Sequence, residues 1–267
     1  MDDAALVGRE LRRLEQAENF PVALRVLPRR YRRDLRTVYD TARLIDDAGD
    51  DPSASREQRL ERLGGIEAGL RRSLDPAGRL PLQPFLDLIA ANRQDQAVAR
   101  YPSYDDLAGY CRLSANPVGR LVLAVFDVDD EQARQLSDDV CTALQLLEHC
   151  QDVAEDKRLR DRVYLPQDDL ARFGVTDADL TSPVTPVGLR RAIAMQVDRA
   201  AALFESGPAL LRRLHGAARL AVAGYVAGGL ATADALRRCD YNVGATTPKP
   251  RGQDIARHAV RLLVVRR

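Results

Sequence analysis

Two clusters of side chains in this sequence have the types and spacing to do chemistry. The first is Asp46-Asp47-Ala48-Gly49-Asp50-Asp51, four carboxylates within six residues. The apolar pattern before it predicts that these acids close a helix. Asp is a poor helix former, like charges four apart repel, and anions oppose the negative C-terminal end of the helix dipole. A bound cation would relieve that cost. Asp46 and Asp50 fall on one face, with Arg43 and Tyr39 on the preceding turns of the same face. The second cluster is Gln145, Glu148, Asp152 and Asp156, at steps of three, four and four along a long predicted helix, with Glu155 beside it. Leu144, Leu146, Leu147 and Val153 flank this stripe, which directs it toward an interior cavity. Magnesium takes oxygen ligands in near-octahedral geometry and commonly shares a few carboxylates with substrate phosphate oxygens and water. Each cluster alone also fits a solvated helix end. Two carboxylate pairs at i,i+4 on separate helices, each accompanied by Arg and Tyr, favour a metal and phosphate site.

The elements that must position these residues are helices. Apolar residues recur at three and four rather than at two, and β-branched runs are short. Prolines mark the boundaries, because a proline inside a helix loses a hydrogen bond and clashes with the preceding turn. The reading places helices at 4–17, 29–50, 54–74, 82–98, 104–125, 130–160, 187–213, 217–239 and 252–265. Ser103 followed by Asp106 predicts a capped start for the fifth. Pro117 and Gly119 should kink that helix, either as plain packing or to widen a cavity. The expected fold is all-α, one domain over 1–267.

Composition narrows the function classes. With 45% hydrophobic residues the chain can bury a large core. Its 40 basic and 39 acidic residues cancel to +1, and only 5% of residues are aromatic, which argues against nucleic acid as a partner. Cys111, Cys141, Cys150 and Cys239 show no CxxC spacing and no secretory leader is visible at Met1, so reduced thiols in the cytoplasm are expected. The uncharged stretch 220–233 falls short of the roughly 20 residues a membrane span needs and reads as a buried helix. The apolar and basic tail 262–267 is a candidate for peripheral membrane contact.

Three segments carry a resemblance. Asn19-Phe20-Pro21-Val22-Ala23, the run from Tyr39 through Arg43 to Asp50, and Gln151-Asp152-Val153-Ala154-Glu155-Asp156 leading to Arg162-Val163-Tyr164-Leu165-Pro166 are similar in order and spacing to the squalene/phytoene synthase family. Asn19-Phe20-Pro21-Val22, Ser114-Ala115-Asn116-Pro117-Val118-Gly119 and Glu148-His149 resemble its hydroxysqualene synthase branch of hopanoid and squalene biosynthesis. The resemblance implies an isoprenoid-synthase helical bundle with a central cavity, in which Asp46, Asp50, Asp152 and Asp156 bind Mg2+ bridged to diphosphate. It also implies that Tyr39, Arg43, Arg162 and Tyr164 contact the diphosphate, Arg160 being the alternative for Arg162, with Tyr164 counted among the catalytic residues. Apolar helices, including 121–126 and 220–230, would shield a carbocation from water. The implied reaction ionises presqualene diphosphate and lets water capture the rearranged cation, with no reductant; Gly64-Gly65 and Gly228-Gly229 lie in helical patterns and form no dinucleotide fingerprint. Asn116, Gln145 and Glu148 are candidates to orient that water. Tyr241 and Lys249 resemble a C-terminal lid, or else belong to a tethered surface loop. Other enzymes of squalene or hopanoid synthesis would be functional partners. This sequence departs from condensing members of the family in Glu148, Gln151 and the early Ala17-Glu18-Asn19.

Three other readings compete. A head-to-head prenyltransferase making phytoene, dehydrosqualene or presqualene diphosphate would share fold and metals. A di-iron bundle would add Glu-x-x-His pairs, but His149, His215 and His258 follow Leu146, Arg212 and Ile255 at that spacing. A helical interaction scaffold would leave both acid clusters in solvent.

Overall fold

A computed structural model of the chain describes residues 27–74 and 78–264. The expected helix 4–17 and the Asn19 to Ala23 motif lie outside these residues. The described part is helical: α1 (Arg29–Asp50), α2 (Arg56–Ser73), α3 (Leu82–Gln94), α4 (Tyr104–Ser114), α5 (Asn116–Val125), α6 (Glu131–Gln151), α7 (Val153–Arg160), α8 (Gln167–Arg172), α9 (Val187–Leu203), α10 (Ser206–Arg213), α11 (Gly216–Arg238) and α12 (Gly252–Val264). A 3-10 turn at Asp179–Thr181 and one isolated bridge, Arg100 to Val163, complete the regular structure among the described residues.

Caps and prolines set the boundaries. The Ser103 side chain accepts from the Asp106 N–H while the Asp106 carboxylate accepts from the Ser103 N–H, the capping box expected for α4. Ser55 and Gln58 form a second one on α2. Three helices expected to be continuous are divided. The span 104–125 breaks at Ala115 because Pro117, which cannot sit in a helix interior, occupies the first turn of α5 instead. The span 187–213 breaks at Phe204 and Glu205 for the same reason: Pro208 stands in the first turn of α10, a signal the sequence reading passed over. The span 130–160 breaks at Asp152, whose backbone leaves helical geometry at φ −106° and ψ 10°. The helix expected at 82–98 ends at Gln94, leaving Asp95 at its C-cap.

At the centre is α6, packed against α4, α5, α9, α10 and α11. Its side toward α5 is unusually close at Gly119, where an added Cβ would stand 2.5 Å from Ser137 Oγ and 2.6 Å from Cys141 Sγ. The expected buried helix at 220–233 is the middle of α11, with Ala221, Ala223, Val226 and Ala227 sealed in the core. Among the described residues no helix is long and apolar enough to cross a membrane. In the tail, Leu262 and Leu263 pack against the core rather than facing outward, and the exposed apolar residues of α12 are Val260 and Val264. All four cysteines are free thiols.

Candidate active site

The four acids ending α1 divide by helix face. Asp47 points outward to an ion pair with Arg43 at 3.0 Å. Asp51 is also on the surface, where hydrogen bonds from Ser53 and Arg62 pull its pKa down to about 2. Asp46 and Asp50 lie on the other face, toward α3 and the Arg160–Arg162 segment. Asp46 accepts a hydrogen bond from Asn92 Nδ2 at 2.9 Å, and burial pushes its pKa up to about 6 despite that bond, with Asp50 adding repulsion. α1 approaches α3 this closely because residue 49 is glycine: a Cβ there would meet Asn92 Oδ1 at 2.1 Å. Asp50 accepts from Arg162 Nη1 at 2.7 Å and pairs with Arg160 Nε at 3.2 Å.

The second cluster reaches the first through one guanidinium. Arg160, bound to Asp50, also lies 3.5 Å from Asp156 with its Nη1. Carboxylates of α1 and α7 thus flank a single cationic group. Burial raises Asp156 to about 7, with repulsion from Asp152 adding to it, and Asp152 to about 6, with Glu155 adding. The α6–α7 break places Asp152 between the two helices and Asp156 on α7, apart from Gln145 and Glu148 on α6. Those two line a largely apolar cavity of about 200 Å³, with Ser114 and Ser137 as its other polar residues and walls from Val118, Gly119, Val122, Leu144, Val222 and Tyr225. The expected polar stripe is therefore real but bent, its acidic half at the ion pairs and its other half at the cavity.

Other expected residues fall as follows. Arg162 and Tyr164 are buried beside Asp50, and both Arg162 and Arg160 reach it, so the two alternatives act at one place. Tyr164 donates to Asp95 Oδ1 at 3.3 Å and stacks on His149, ring centroids 4.0 Å apart. Tyr39 is buried on α1. Asn116 is buried and accepts from Thr142 Oγ1 at 3.0 Å, a strap between α5 and α6; the cavity wall beside it comes from Ala115 and Gly119. The segment bearing Tyr241 and Lys249 is fastened at two points. Thr185 Oγ1 accepts from the Val243 and Gly244 N–H groups, each at 2.9 Å, and Gln151 Nε2 donates to the Pro248 carbonyl at 2.5 Å. The second tie anchors it next to Asp152. Tyr241 packs against the core while Lys249 is exposed.

Asn92 and Asp95 on α3 were missed. Asp95 is buried, accepts from Tyr110 Oη at 2.8 Å and lies 3.8 Å from Arg162 Nη1; burial raises it to about 6 against the pull of Arg162. Two polar residues three apart closing an apolar helix were the available signal. His149 is fully enclosed, and burial alone drops its pKa to about 3, so it is neutral. Its Nε2 faces Gln145 Nε2 at 3.0 Å.

Among the described residues no three His, Cys, Asp or Glu side chains come together closely enough to hold a metal alone. The donors nevertheless fit magnesium shared with a diphosphate: all are oxygens, desolvation raises the pKa values of three of them, and a guanidinium already bridges the two clusters.

A helical bundle whose facing acids adjoin an apolar cavity defines a class suited to a charged head on a greasy chain. The Squalene/phytoene synthase family model matches residues 14–254, and the chain belongs to that family. It is 36% identical over 192 residues to hydroxysqualene synthase of Zymomonas mobilis, covering 67% of this chain and 64% of that protein. It is 35% identical over 205 residues to that of Rhodopseudomonas palustris, covering 71% and 69%. The chain thus spans slightly under two thirds of the first relative and slightly over two thirds of the second. Squalene synthase HpnC from Alicyclobacillus acidocaldarius has a similar structure, with TM-score 0.74 and 41% identity over 86% of this chain and 93% of that one. A dehydrosqualene synthase at 21% identity shares the fold, with TM-score 0.79 over 94% and 93%.

Proposed function

We propose that the chain converts presqualene diphosphate and water into hydroxysqualene and diphosphate, with magnesium held by Asp46, Asp50, Asp152 and Asp156. The observation that carries this reading is the Arg160 bridge from Asp50 to Asp156, which sets two acid clusters face to face near a cavity with an apolar wall. Magnesium would neutralise charge building on the departing diphosphate. Arg162, Arg160, Arg43, Tyr39 and Tyr164 bind and orient that group, and Lys249 adds a charge from the segment tied down by Gln151. The carbon–oxygen bond breaks with its electron pair leaving on the diphosphate. Val118, Val122, Leu144 and Val222 exclude bulk water from the cation. At the polar end, Gln145 and Glu148 orient one water, whose oxygen forms the new bond and whose proton passes to Glu148 or to solvent.

At about 200 Å³ the cavity is below the roughly 300 Å³ at which drug-sized ligand pockets begin, so a prenyl chain must open its wall. Any peripheral membrane contact would use Val260 and Val264, and an enzyme forming presqualene diphosphate must supply the substrate. A second reading, head-to-head condensation, draws support from 32% identity over 229 residues to 15-cis-phytoene synthase of Synechococcus elongatus. Incubating the protein and magnesium separately with presqualene diphosphate and farnesyl diphosphate, followed by mass analysis of extracted lipids, separates them. Hydroxysqualene from presqualene diphosphate alone is expected; a condensed product from farnesyl diphosphate would establish the second reading.

A further inference from the structure

Asp95 is a buried carboxylate outside both acid clusters, with three donors around it. Tyr110 Oη donates at 2.8 Å to one oxygen and Tyr164 Oη at 3.3 Å to the other, while Arg162 Nη1 stands 3.8 Å from the first. That same Nη1 is 2.7 Å from Asp50 Oδ1. One guanidinium nitrogen is therefore shared unequally between a proposed metal ligand and a carboxylate that serves no metal. Asp50 cannot stay closed around Arg162 and Arg160 while offering its oxygens to a cation. A buried arginine released from its closer anionic partner needs a second counter-charge at hand, since a buried charge without one is costly.

We infer that Asp95 is a positioning residue that takes over Arg162 when Asp50 turns to its ligand, lowering the cost of freeing Asp50 and keeping the guanidinium beside the diphosphate. This rests on the reading of the site as a magnesium and diphosphate site. Asp95 is suited to the part because Tyr110 and Tyr164 fix its oxygens and because it lies at the C-cap of α3, just past the helix whose Asn92 holds Asp46. The two inward acids of α1 thus both depend on the end of α3, Asp46 directly and Asp50 through Arg162. Tyr164 and Arg162 are also fixed relative to each other, since both point at one carboxylate.

The test is a double-mutant cycle read by calorimetry at pH 8, with inorganic diphosphate as the probe and magnesium titrated. The proteins are the full chain as wild type, Asp95→Asn, Arg162→Gln and the pair. Asp95→Asn keeps the shape and removes the charge. It should raise the magnesium concentration needed for half-maximal diphosphate binding by about tenfold or more, as expected for loss of a charge-assisted contact. In the Arg162→Gln background the same change should cost less than about threefold, because the partner through which Asp95 acts is gone. Equal costs in both backgrounds would overturn the proposal, showing a direct or merely structural effect. If Asp95→Asn does not fold, Asp95→Glu is carried through the same cycle: coupling to Arg162 supports the role and additivity sinks it. A wild-type protein that binds no diphosphate with magnesium would overturn the site reading along with this one, whereas wild-type binding with additive costs removes Asp95 alone.

Discussion

At the end of α1 the inward carboxylates already have firm protein partners, Asn92 for Asp46 and two arginines for Asp50. At the α6–α7 break, Asp156 meets Arg160 only at 3.5 Å, and Asp152 feels the same arginine through space. The first pair sits on an unbroken helix pinned to α3 at Gly49, the second beside a backbone break. Similar sequence motifs are therefore held to different degrees: the α1 acids are pre-positioned by close partners, while Asp152 and Asp156 are less fully compensated.

The sharpest way to break that comparison is to remove one acid from each side. Asp50→Ala and Asp156→Ala should each lower turnover of presqualene diphosphate by about 10²–10³-fold, the usual cost of losing one electrostatic stabiliser of a transition state. The Asp156 variant should also fold more stably than wild type without magnesium, because a desolvated carboxylate repelled by Asp152 is gone; Asp50→Ala should not, since it removes the nearest anionic partner of both Arg160 and Arg162. Thermal melts of the two variants check this.

Charge titration gives a second, smaller effect. Asp46, Asp95, Asp152 and Asp156 have folded pKa values raised to about 6, 6, 6 and 7 from 3.8. The folded chain holds protons there that the unfolded chain has lost, so stability from these groups is full below about pH 4 and declines as pH rises through 6 and 7. Asp51, held near 2, acts in the opposite sense only on the acid side of pH 4. Without ligand, the melting temperature should fall between pH 5.5 and pH 8, and magnesium with diphosphate should restore it at pH 8. A ligand-free melting temperature that rises across this interval would contradict the burial of these acids together.

Two further changes probe the cavity and the surface. Gly119→Ala should destabilise the fold by about 1–3 kcal/mol through overpacking against Ser137 and Cys141, measurable by denaturant unfolding. Asp47→Asn, on the outward face of the same cluster as Asp46, should alter stability by less than about 0.5 kcal/mol and leave turnover near wild type.

Most helix boundaries were legible because prolines and capping residues act locally, but three expected helices are divided and the short α8 was not expected. The carboxylate clusters were legible because Asp at a helix C-terminus opposes local preference. The breaks at Asp152 and at Phe204 with Glu205 were not. Asp152 carries no local breaker residue, and Pro208 works one turn after the break it causes. Asp95 and Asn92 escaped notice because their meaning lies in partners far along the chain, Tyr164 being 69 residues away and Asp46 46 residues away.

The proposed reaction is ionisation followed by capture of water. Incubating the protein, magnesium and presqualene diphosphate in H₂¹⁸O, then weighing the extracted lipid, tests it most directly. Hydroxysqualene carrying one ¹⁸O atom is the expected result. Hydroxysqualene without the label, or no turnover by a protein that binds magnesium and diphosphate, would contradict it.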